Sequence, residues 1–319
     1  MTPMFDRLAL IGLGLIGSSI ARAARRHGLA RTIVAIDASA DVIARVEALG
    51  IADVTTRDLV TGVSGADCVI LCVPVGANAQ VAALIGPHLK PGAIVSDVGS
   101  VKGAVVRDVA PHLPAGVHFI PAHPVAGTEY SGPDAGFATL FENRWLVLTP
   151  PPDQDPDAIA TVQRFWEGLG SNVEIMSAQH HDLVLAITSH VPHLIAYNLV
   201  GTAYDLESVV EQEVIKFSAG GFRDSTRLAA SDPTMWRDVF LNNKDAVLEM
   251  VARFSEDLAA LARMIRWGDG DGLHDLFTRT RAIRRSIIAS GQDTAAPNFG
   301  RADGIAATPG RPGDPPISQ

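Results

Sequence analysis

Cysteine is nearly absent from this chain. Its two cysteines are Cys68 and Cys72, which lie on an apolar run that predicts a strand. Four residues apart on one strand face, they lie about 13 Å from each other at about 3.3 Å per residue. That distance exceeds the reach of a disulfide, so we interpret both as packing residues.

The chain also has little charge and no basic stripe. Charged residues make up 19% of its 319 residues and hydrophobic ones 47%, which favours a full core over disorder. The formal net charge of -9 argues against nucleic acid as the main partner. Because neither an apolar run of membrane-spanning length nor a leader segment is evident, the sequence predicts a soluble, cytoplasmic protein without a membrane partner.

Three glycines follow the first apolar run. Gly12, Gly14 and Gly17 come directly after residues 8–11. In a dinucleotide site, the first glycine permits a tight turn and the second lets the backbone approach a pyrophosphate. The third lets the next helix pack closely on the sheet, and the N-terminus of that helix holds the negative charge. The spacing therefore predicts a nucleotide site.

An acidic residue ends the second apolar run. Asp37 follows residues 33–36, twenty positions after Gly17. A carboxylate there can bind both hydroxyls of an adenosine ribose and would repel a 2′-phosphate, and no arginine stands among the next three residues. NAD is therefore predicted over NADP. Asp37 could also, or instead, cap the helix that follows.

Apolar runs alternate with helical patterns up to about residue 150. Continuous apolar runs are typical of parallel strands covered on both faces, and the alternation predicts an α/β doubly wound parallel sheet. The predicted strands are 8–11, 33–36, 68–73, 93–97, 118–122 and 145–149. The predicted helices are 16–27, 40–49, 77–89 and 101–110. A further helix, 158–169, and a strand, 173–176, are expected to extend this sheet.

The pattern becomes almost wholly helical from Ala178 onward. Asp232 and Pro233 resemble an N-cap and a first helical residue, and the helix that they open could run to Trp267. Its length of about 50 Å exceeds one small domain, which favours a dimer with shared helices. The predicted domains are 1–177 and 178–291, and the Pro- and Gly-rich tail 292–319 is predicted to be disordered.

Polar residues follow two neighbouring strands. Ser100 and Lys102 come after one, and His123 comes after the next, so all three face the predicted cofactor crevice. A histidine there can take a proton near neutral pH, and a hydroxyl can orient it. Simpler roles stay open: Ser100 as a helix cap, Lys102 and Glu129 as solvated residues, and His123 as a residue bound to loop backbone.

The first C-terminal helix carries a polar stripe. Asp182, Ser189 and His193 share one face, with His190 beside it. A polar stripe on an apolar helix indicates a function or a hydrogen-bonded core network. A metal is not predicted, because no second ligand pair has suitable spacing. Pro192 removes a helical donor and should bend the helix.

Two arginines follow a glycine pair. Arg223 and Arg227 lie just after Gly220 and Gly221. A guanidinium is well shaped to bind a carboxylate, and ordinary surface ion pairing is the alternative.

Taken in order, five motifs resemble the prephenate/arogenate (cyclohexadienyl) dehydrogenase family. They are Gly-Leu-Gly-Leu-Ile-Gly, Gly-Ser-Val-Lys-Gly, His-Pro-Val-Ala-Gly-Thr-Glu, Ser-His-Val-Pro-His and Gly-Gly-Phe-Arg-Asp-Ser-Thr-Arg, within residues 8–290. The resemblance implies a Rossmann domain joined to an all-helical dimerisation domain. It also implies a homodimer that uses NAD to decarboxylate prephenate or arogenate oxidatively on the route to tyrosine.

The same resemblance implies roles for individual residues. His123 would be the base for the ring 4-hydroxyl while hydride passes from C4 to nicotinamide, and Ser100 would hydrogen-bond the substrate and His123. Arg227, positioned by Asp182, would hold a substrate carboxylate. The remaining substrate-binding residues would be His190, His193, Thr128, Trp236 and Arg223, the last reaching into the partner subunit's site. Cofactor-binding residues would be Gly12, Gly14, Leu15, Ile16, Gly17, Asp37, Val73, Pro74 and Ser100.

The choice of substrate and two rival functions stay open. Arg223 favours the carboxylate of prephenate and Asp232 the ammonium of arogenate, so either or both are expected. A hydroxyacid or 6-phosphogluconate-like dehydrogenase is an alternative, although Lys216 and Lys244 lack the context of its usual lysine. A non-enzymatic NAD-binding dimer is the other.

Overall fold

The computed structural model of the chain describes residues 3–128, 130–207 and 220–289. The strands are β1 (Phe5–Ile11), β2 (Ala30–Ile36), β3 (Val54–Thr56), β4 (Cys68–Leu71), β5 (Ile94–Asp97), β6 (His118–Phe119), β7 (Ala122–Pro124), β8 (Trp145–Leu148) and β9 (Asn172–Ile175). The helices of the amino-terminal part are α1 (Leu15–His27), α2 (Ala40–Leu49), α3 (Leu59–Val63), α4 (Asn78–Ile85), α5 (Lys102–Val109) and α6 (Pro156–Gly168). The later helices are α7 (Ala178–Leu185), α8 (Val191–Glu207), α9 (Gly220–Thr226), α10 (Pro233–Asn242), α11 (Lys244–Trp267) and α12 (Gly270–Ala289).

Six parallel strands form the central sheet. Their order is β3-β2-β1-β4-β5-β6, with buried apolar side chains on both faces. The direction of winding changes between β1 and β4, and ligands of such sheets bind beyond the strand ends at this point. The predicted doubly wound α/β fold is confirmed, and the predicted crevice lies beside Gly12 and Val73.

A second, smaller sheet corrects two expectations. The predicted strand 118–122 is divided: β6 ends at Phe119, and β7 begins at Ala122 in the other sheet. Pro121 stands between them and has no N–H to continue the first ladder. β7 pairs antiparallel with β8, which pairs parallel with β9. The strands predicted at 145–149 and 173–176 therefore belong to this three-stranded sheet and not to the larger one.

The helix after residue 178 contains the irregularity expected at Pro192. A π-helical turn, Ala186–His190, separates α7 from α8. The ring of His193 donates from Nδ1 to the carbonyl of Ser189 at 2.9 Å. A π turn is a known response to a disturbed hydrogen-bond ladder and is common at functional sites.

The same helix also corrects the expectation that no apolar run is long enough to span a membrane. The 28 residues Ala178–Asp205 reach a mean hydropathy of 1.4 in their most apolar window, 28% of which is buried. By length and composition alone, this helix could cross a membrane. Yet His181, Asp182 and His190 are buried on it. Asp182 bonds α5, His190 bonds Asn243 and His181 bonds His123. Its polar side is therefore packed inside the protein.

Asn243 interrupts the long helix that was predicted to run to Trp267. Its backbone leaves helical geometry at φ -107° and ψ 31°, dividing the segment into α10 and α11. The buried Asn243 amide donates to the carbonyl of Asp182 at 2.9 Å and to Nδ1 of His190 at 3.1 Å. An uninterrupted helix is therefore the wrong expectation here, because this tertiary contact overrides the helical pattern.

The predicted start of that segment is confirmed. Asp232 accepts a hydrogen bond from the N–H of Met235 at 2.8 Å, and Pro233 is the first helical residue. Both cysteines are free, and Cys68 is buried, as expected for packing residues. The tail 292–319, together with Glu129 and Lys216, lies outside the described residues.

Candidate active site

The glycine turn fits a dinucleotide by three different constraints. Gly12 has φ +94°, and a Cβ there would lie 2.5 Å from the carbonyl oxygen of Cys72. A Cβ on Gly17 would collide with the carbonyl oxygen of Gly12, so the helix packs too closely for any other residue. A Cβ on Gly14 would meet nothing within 4 Å, which leaves open space in front of the backbone.

The start of α1 adjoins that open space. Gly14 is its N-cap and supplies no side-chain cap, and Leu15 and Ile16 form its first turn. Uncapped N–H groups at a helix start attract anions. Val73 lies against Gly12 from the end of β4, and the exposed Pro74 follows it. The described residues thus fit a pyrophosphate cradle.

Asp37 supports the glycine turn directly. Its carboxylate accepts from the N–H of Leu13 at 2.9 Å and from the N–H of Ser39 at 2.9 Å. Ser39, and not Asp37, is the N-cap of α2, so the capping alternative is wrong. Sequence reasoning missed Arg57, which donates to the carbonyl of Ala38 at 3.0 Å and so lies close to Asp37, the residue predicted to bind the ribose. Only the pairing of β3 beside β2 brings it there.

His123 lies at the first position of a hydrogen-bonded row of side chains. Its Nδ1 is 2.8 Å from Nε2 of His181, and Nδ1 of His181 is 2.8 Å from Oδ1 of Asp182. Asp182 also accepts from the backbone N–H groups of Lys102 at 2.7 Å and Gly103 at 2.8 Å. Sequence reasoning missed His181, because its importance depends on β7 packing beside α7.

Lys102 is not the solvated helix residue that was one alternative. Its side chain is fully buried, and its ammonium bonds Asp97 at 2.5 Å and the carbonyl of Ala122 at 2.6 Å. Asp97 also accepts from the N–H groups of Ala122 and Gly99, at 3.1 and 2.7 Å. The pair fixes the strand that carries His123. Asp97 was not singled out from the sequence.

Burial keeps the site histidines neutral. It lowers the pKa of His123 well below its usual value, and positive charge on His181, Lys102 or His190 lowers that pKa further. Burial lowers the pKa of His190 to about 4, against the opposing charge of Asp182. A neutral imidazole can accept a proton, so His123 is available as a base at neutral pH.

Two of the buried N–H groups that lack an acceptor among the described residues lie on neighbouring rings, those of His190 and Trp236. Asn243 donates to His190 Nδ1 and to a carbonyl, which fixes the orientation of its amide, so the proton of His190 is on Nε2. That Nε2 and the indole Nε1 of Trp236 are buried without a partner in the described part of the chain. His193 stacks on Trp236 with ring centroids 3.5 Å apart. Unsatisfied buried donors are uncommon in proteins, and these two rings have centroids only 6.0 Å apart, so both N–H groups can serve one ligand.

Arg227 and Arg223 differ in position. Burial lowers the pKa of His193, the hydrogen bond to the carbonyl of Ser189 raises it, and the positive charge of Arg227 lowers it further. The Arg227 guanidinium therefore lies near the stacked rings. Arg223 is exposed, 3.5 Å from Asp224, as the surface-pairing alternative expected. The Asp182 carboxylate is occupied by α5 and His181, which does not match the expected positioning of Arg227.

Three further candidates are placed as follows. Ser100 is half-buried and makes no hydrogen bond with His123 in the described part of the chain, and Val101 is the N-cap of α5, so the capping alternative for Ser100 is wrong. Thr128 accepts from the N–H of Tyr130 at 3.3 Å. Across residues 3–128, 130–207 and 220–289, no group of three or more His, Cys, Asp or Glu side chains could hold a metal ion.

Two family models match the chain in tandem. The prephenate dehydrogenase nucleotide-binding domain matches residues 20–175, and the prephenate dehydrogenase dimerization domain matches residues 177–279. The chain belongs to the prephenate dehydrogenase family. This confirms the resemblance drawn from the five motifs.

Relatives in this family are similar over most of their length. The cyclohexadienyl dehydrogenase of Zymomonas mobilis is 43% identical over 284 residues, which is 89% of this chain and 97% of that protein. The prephenate dehydrogenase of Bacillus subtilis is 33% identical over 288 residues, 90% of this chain and 77% of that protein.

Solved structures of the family have the same fold. Prephenate dehydrogenase from Aquifex aeolicus, in complex with hydroxyphenyl propionate and NAD+, superposes with a TM-score of 0.83 at 34% identity, covering 88% of this chain and 98% of that one. The Synechocystis arogenate dehydrogenase gives a TM-score of 0.75 at 28% identity, with 88% and 99% coverage.

The glycine turn yields a matched pair of variants. Gly14→Ala should keep the melting temperature, since its methyl meets no protein atom, yet weaken NAD binding at least tenfold, or about 1.4 kcal/mol. Gly17→Ala should lower stability by about 1–3 kcal/mol through overpacking. Calorimetric titration with NAD and thermal unfolding separate the two effects. Unchanged NAD affinity in Gly14→Ala would remove this turn as the cofactor cradle.

The neutral histidines predict a loss of stability in acid. His123 and His190 have lowered pKa values in the folded protein, so between those values and about 6.5 the unfolded chain binds more protons. Stability should be greatest above about pH 6.5 and fall below it, by up to about 1.4 kcal/mol per pH unit for each such histidine. Melting temperatures between pH 8 and pH 5 measure this.

Variants identify the histidines responsible. His190→Asn should flatten the dependence relative to the wild type, whereas His112→Asn, at an exposed position, should not change it. A melting temperature that stays level from pH 7 to pH 5 would contradict the buried neutral histidines.

Proposed function

We propose that this chain is an NAD-dependent dehydrogenase that oxidatively decarboxylates prephenate, arogenate or both in tyrosine biosynthesis. The observation that carries the proposal is the buried, neutral His123, held at the carboxyl-end side of the sheet by His181 and Lys102. The family membership and the relatives named for both substrates support it.

The reaction requires a base, and His123 fits that role. The ring 4-hydroxyl of the substrate gives its proton to the neutral imidazole. When bound, NAD supplies the acceptor for the hydride that leaves C4. Loss of the ring carboxylate as carbon dioxide makes the ring aromatic, which drives the reaction forward. Burial of His123 excludes water from the proton-transfer step.

The substrate carboxylates have matching donors nearby. Arg227 supplies a guanidinium beside His193, and the orphaned N–H groups of His190 and Trp236 supply two neutral donors. Charge-assisted pairing of a guanidinium with a carboxylate gives both affinity and orientation. These groups are our proposed substrate site, with Thr128 at its edge and Ser100 near the cofactor.

Either prephenate or arogenate, or both, are expected to be used. The Asp232 carboxylate is engaged in capping α10, and Arg223 is exposed beside Asp224. Within one chain, neither side chain is therefore placed to recognise the pyruvyl group of prephenate or the ammonium group of arogenate, the groups by which the two substrates differ. Arg223 reaching the partner's site stays a prediction.

The working form is proposed to be a cytoplasmic homodimer. Large apolar side chains are exposed along α11 and α12, and a monomer rarely leaves such a surface in water. They include Leu248, Leu258, Ile265, Trp267, Phe277, Ile283 and Ile288. The match to a dimerization domain over residues 177–279 supports burial of these helices against a second copy. The proposed division into domains 1–177 and 178–291 follows the same boundary.

Replacing the base gives the direct test. His123→Asn should bind NAD normally but turn over prephenate or arogenate about 10²- to 10⁴-fold more slowly, since that is the usual contribution of a positioned base. NADH absorbance measures turnover, and His112→Asn serves as the exposed control. NADH formed only from other hydroxyacids would instead select the rival dehydrogenase. NAD binding without turnover of any substrate would favour a non-enzymatic dimer.

The proposed interface can be tested with a charge. Leu258→Glu combined with Ile265→Glu puts two carboxylates on the exposed apolar face of α11 and should give a monomer, because desolvating these charges costs several kcal/mol. Arg266→Glu, on the same exposed helix, should stay dimeric. Sedimentation velocity distinguishes the species, and a dimeric double variant would place the interface elsewhere.

A further inference from the structure

The hydrogen bonds of the row His123, His181 and Asp182 determine which ring nitrogens carry protons. Three facts define it: the 2.8 Å contact between the two rings, the 2.8 Å contact of His181 with Asp182, and the anchoring of Asp182 on α5. The ring of His181 has no exposed surface, and His123 is 9% exposed. Solvent therefore does not compete for these hydrogen bonds.

The direction of the row is set at Asp182. Both of its oxygens face N–H donors, Oδ1 the N–H of Lys102 and Oδ2 the N–H of Gly103. A carboxylate is an acceptor only, so the ring nitrogen that meets Oδ1 has to be a donor. That nitrogen is Nδ1 of His181, which consequently carries a proton.

The second step follows from neutrality. A neutral imidazole has one N–H and one lone pair, so Nε2 of His181 is an acceptor. It lies 2.8 Å from Nδ1 of His123, which therefore has to donate. The other nitrogen of His123, Nε2, is left with its lone pair.

The surroundings favour this assignment over its alternatives. A lone pair on His181 Nδ1 would face the carboxylate oxygen at 2.8 Å and repel it. A cationic His181 would be buried near the Lys102 ammonium, and burial lowers the pKa of His181 against the opposing influence of Asp182. The neutral, directed row satisfies every donor and acceptor in it except the lone pair on Nε2 of His123.

We propose that His181 is a positioning residue that holds His123 in its Nδ1–H tautomer, so that Nε2 is the atom that takes the substrate proton. This inference rests on the proposed function for the identity of the proton donor. When Nε2 gains the proton, the imidazolium keeps its Nδ1–H on His181, and the Asp182 carboxylate stabilises the new charge through that ring. No further proton has to move.

Nitrogen NMR of the free protein tests the tautomer without any substrate. With ¹⁵N-labelled histidine at pH 8, His123 should show a protonated Nδ1 and an unprotonated Nε2, assigned by the signals lost in His123→Asn. His181 should show the same pattern. A protonated Nε2 on neutral His123 overturns the proposal, whether or not the enzyme is active.

Two replacements of His181 separate positioning from simple packing. His181→Asn keeps an amide near Asp182 but cannot reach His123, whereas His181→Gln places an amide oxygen where Nε2 of His181 was. We expect kcat to fall about 100-fold in His181→Asn, which is less than the loss of about 10⁴-fold that a wrongly protonated base histidine has cost in a serine protease. His181→Gln should recover at least tenfold of that loss, or about 1.4 kcal/mol.

The accompanying measurements make every result decisive. KM should change much less than kcat, and NAD affinity should stay at the wild-type value. His180→Asn, at the exposed neighbouring position, is the matched control and should be fully active. Equal activity of the Asn and Gln variants, or wild-type kcat in His181→Asn, overturns the positioning role. If His181→Asn does not fold, the NMR result and the Gln variant still decide.

Failure of the proposed function would look different. In that case the wild type forms no NADH from prephenate or arogenate, while the NMR pattern still reports the tautomer. The inference about the row and the assignment of the substrate are therefore judged by separate observations.

Discussion

The contact between the Asp182 carboxylate and the start of α5 is the constraint on which the site depends. α5 has no side-chain cap of its own, and its Lys102 side chain is buried. Without Asp182, the backbone N–H groups of Lys102 and Gly103 would lack these acceptors. A carboxylate from α7 supplies both, and the helix dipole favours negative charge there. One hydrogen-bonded group thus joins the helical region to the sheet region at the position where the histidines meet.

A buried ion pair complements that contact. Removing one member of such a pair is strongly destabilising, by about 3–5 kcal/mol, whereas the intact pair adds little net stability. The pair of Lys102 and Asp97 is therefore better understood by its geometry. Both side chains also bond the backbone of Ala122, the residue before His123. These two bonds to Ala122 fix the position of β7 relative to β5.

Much of the nucleotide half could be predicted from sequence because its determinants are local. Gly12 and Gly17 act in the turn in which they stand, through steric limits on a Cβ, and Asp37 supports that turn from the end of β2 by accepting from the N–H of Leu13. His123 was found because the sequence predicts a strand that ends just before it, although in the structure His123 lies within β7. Arg57 was not, because strand pairing alone brings it beside Ala38.

The helical half was less predictable because its determinants are long-range. The helical stripe drawn at 100° per residue ignored the π turn at Ala186–His190, which shifts the phase between Asp182 and His193. His181 was overlooked because its importance depends on a strand 58 residues away. The break at Asn243 had no local signal either, since its reason is a tertiary hydrogen bond.

That break has a consequence for how the two copies of a dimer would influence each other. Asn243 stands at the start of α11, the helix with the exposed apolar face, and the same amide binds the backbone of Asp182 and the ring of His190. A slide of α11 by about 1 Å would stretch both bonds beyond hydrogen-bonding range. In a dimer that buries α11, this single carboxamide would couple the association of the subunits to the positions of Asp182 and His190.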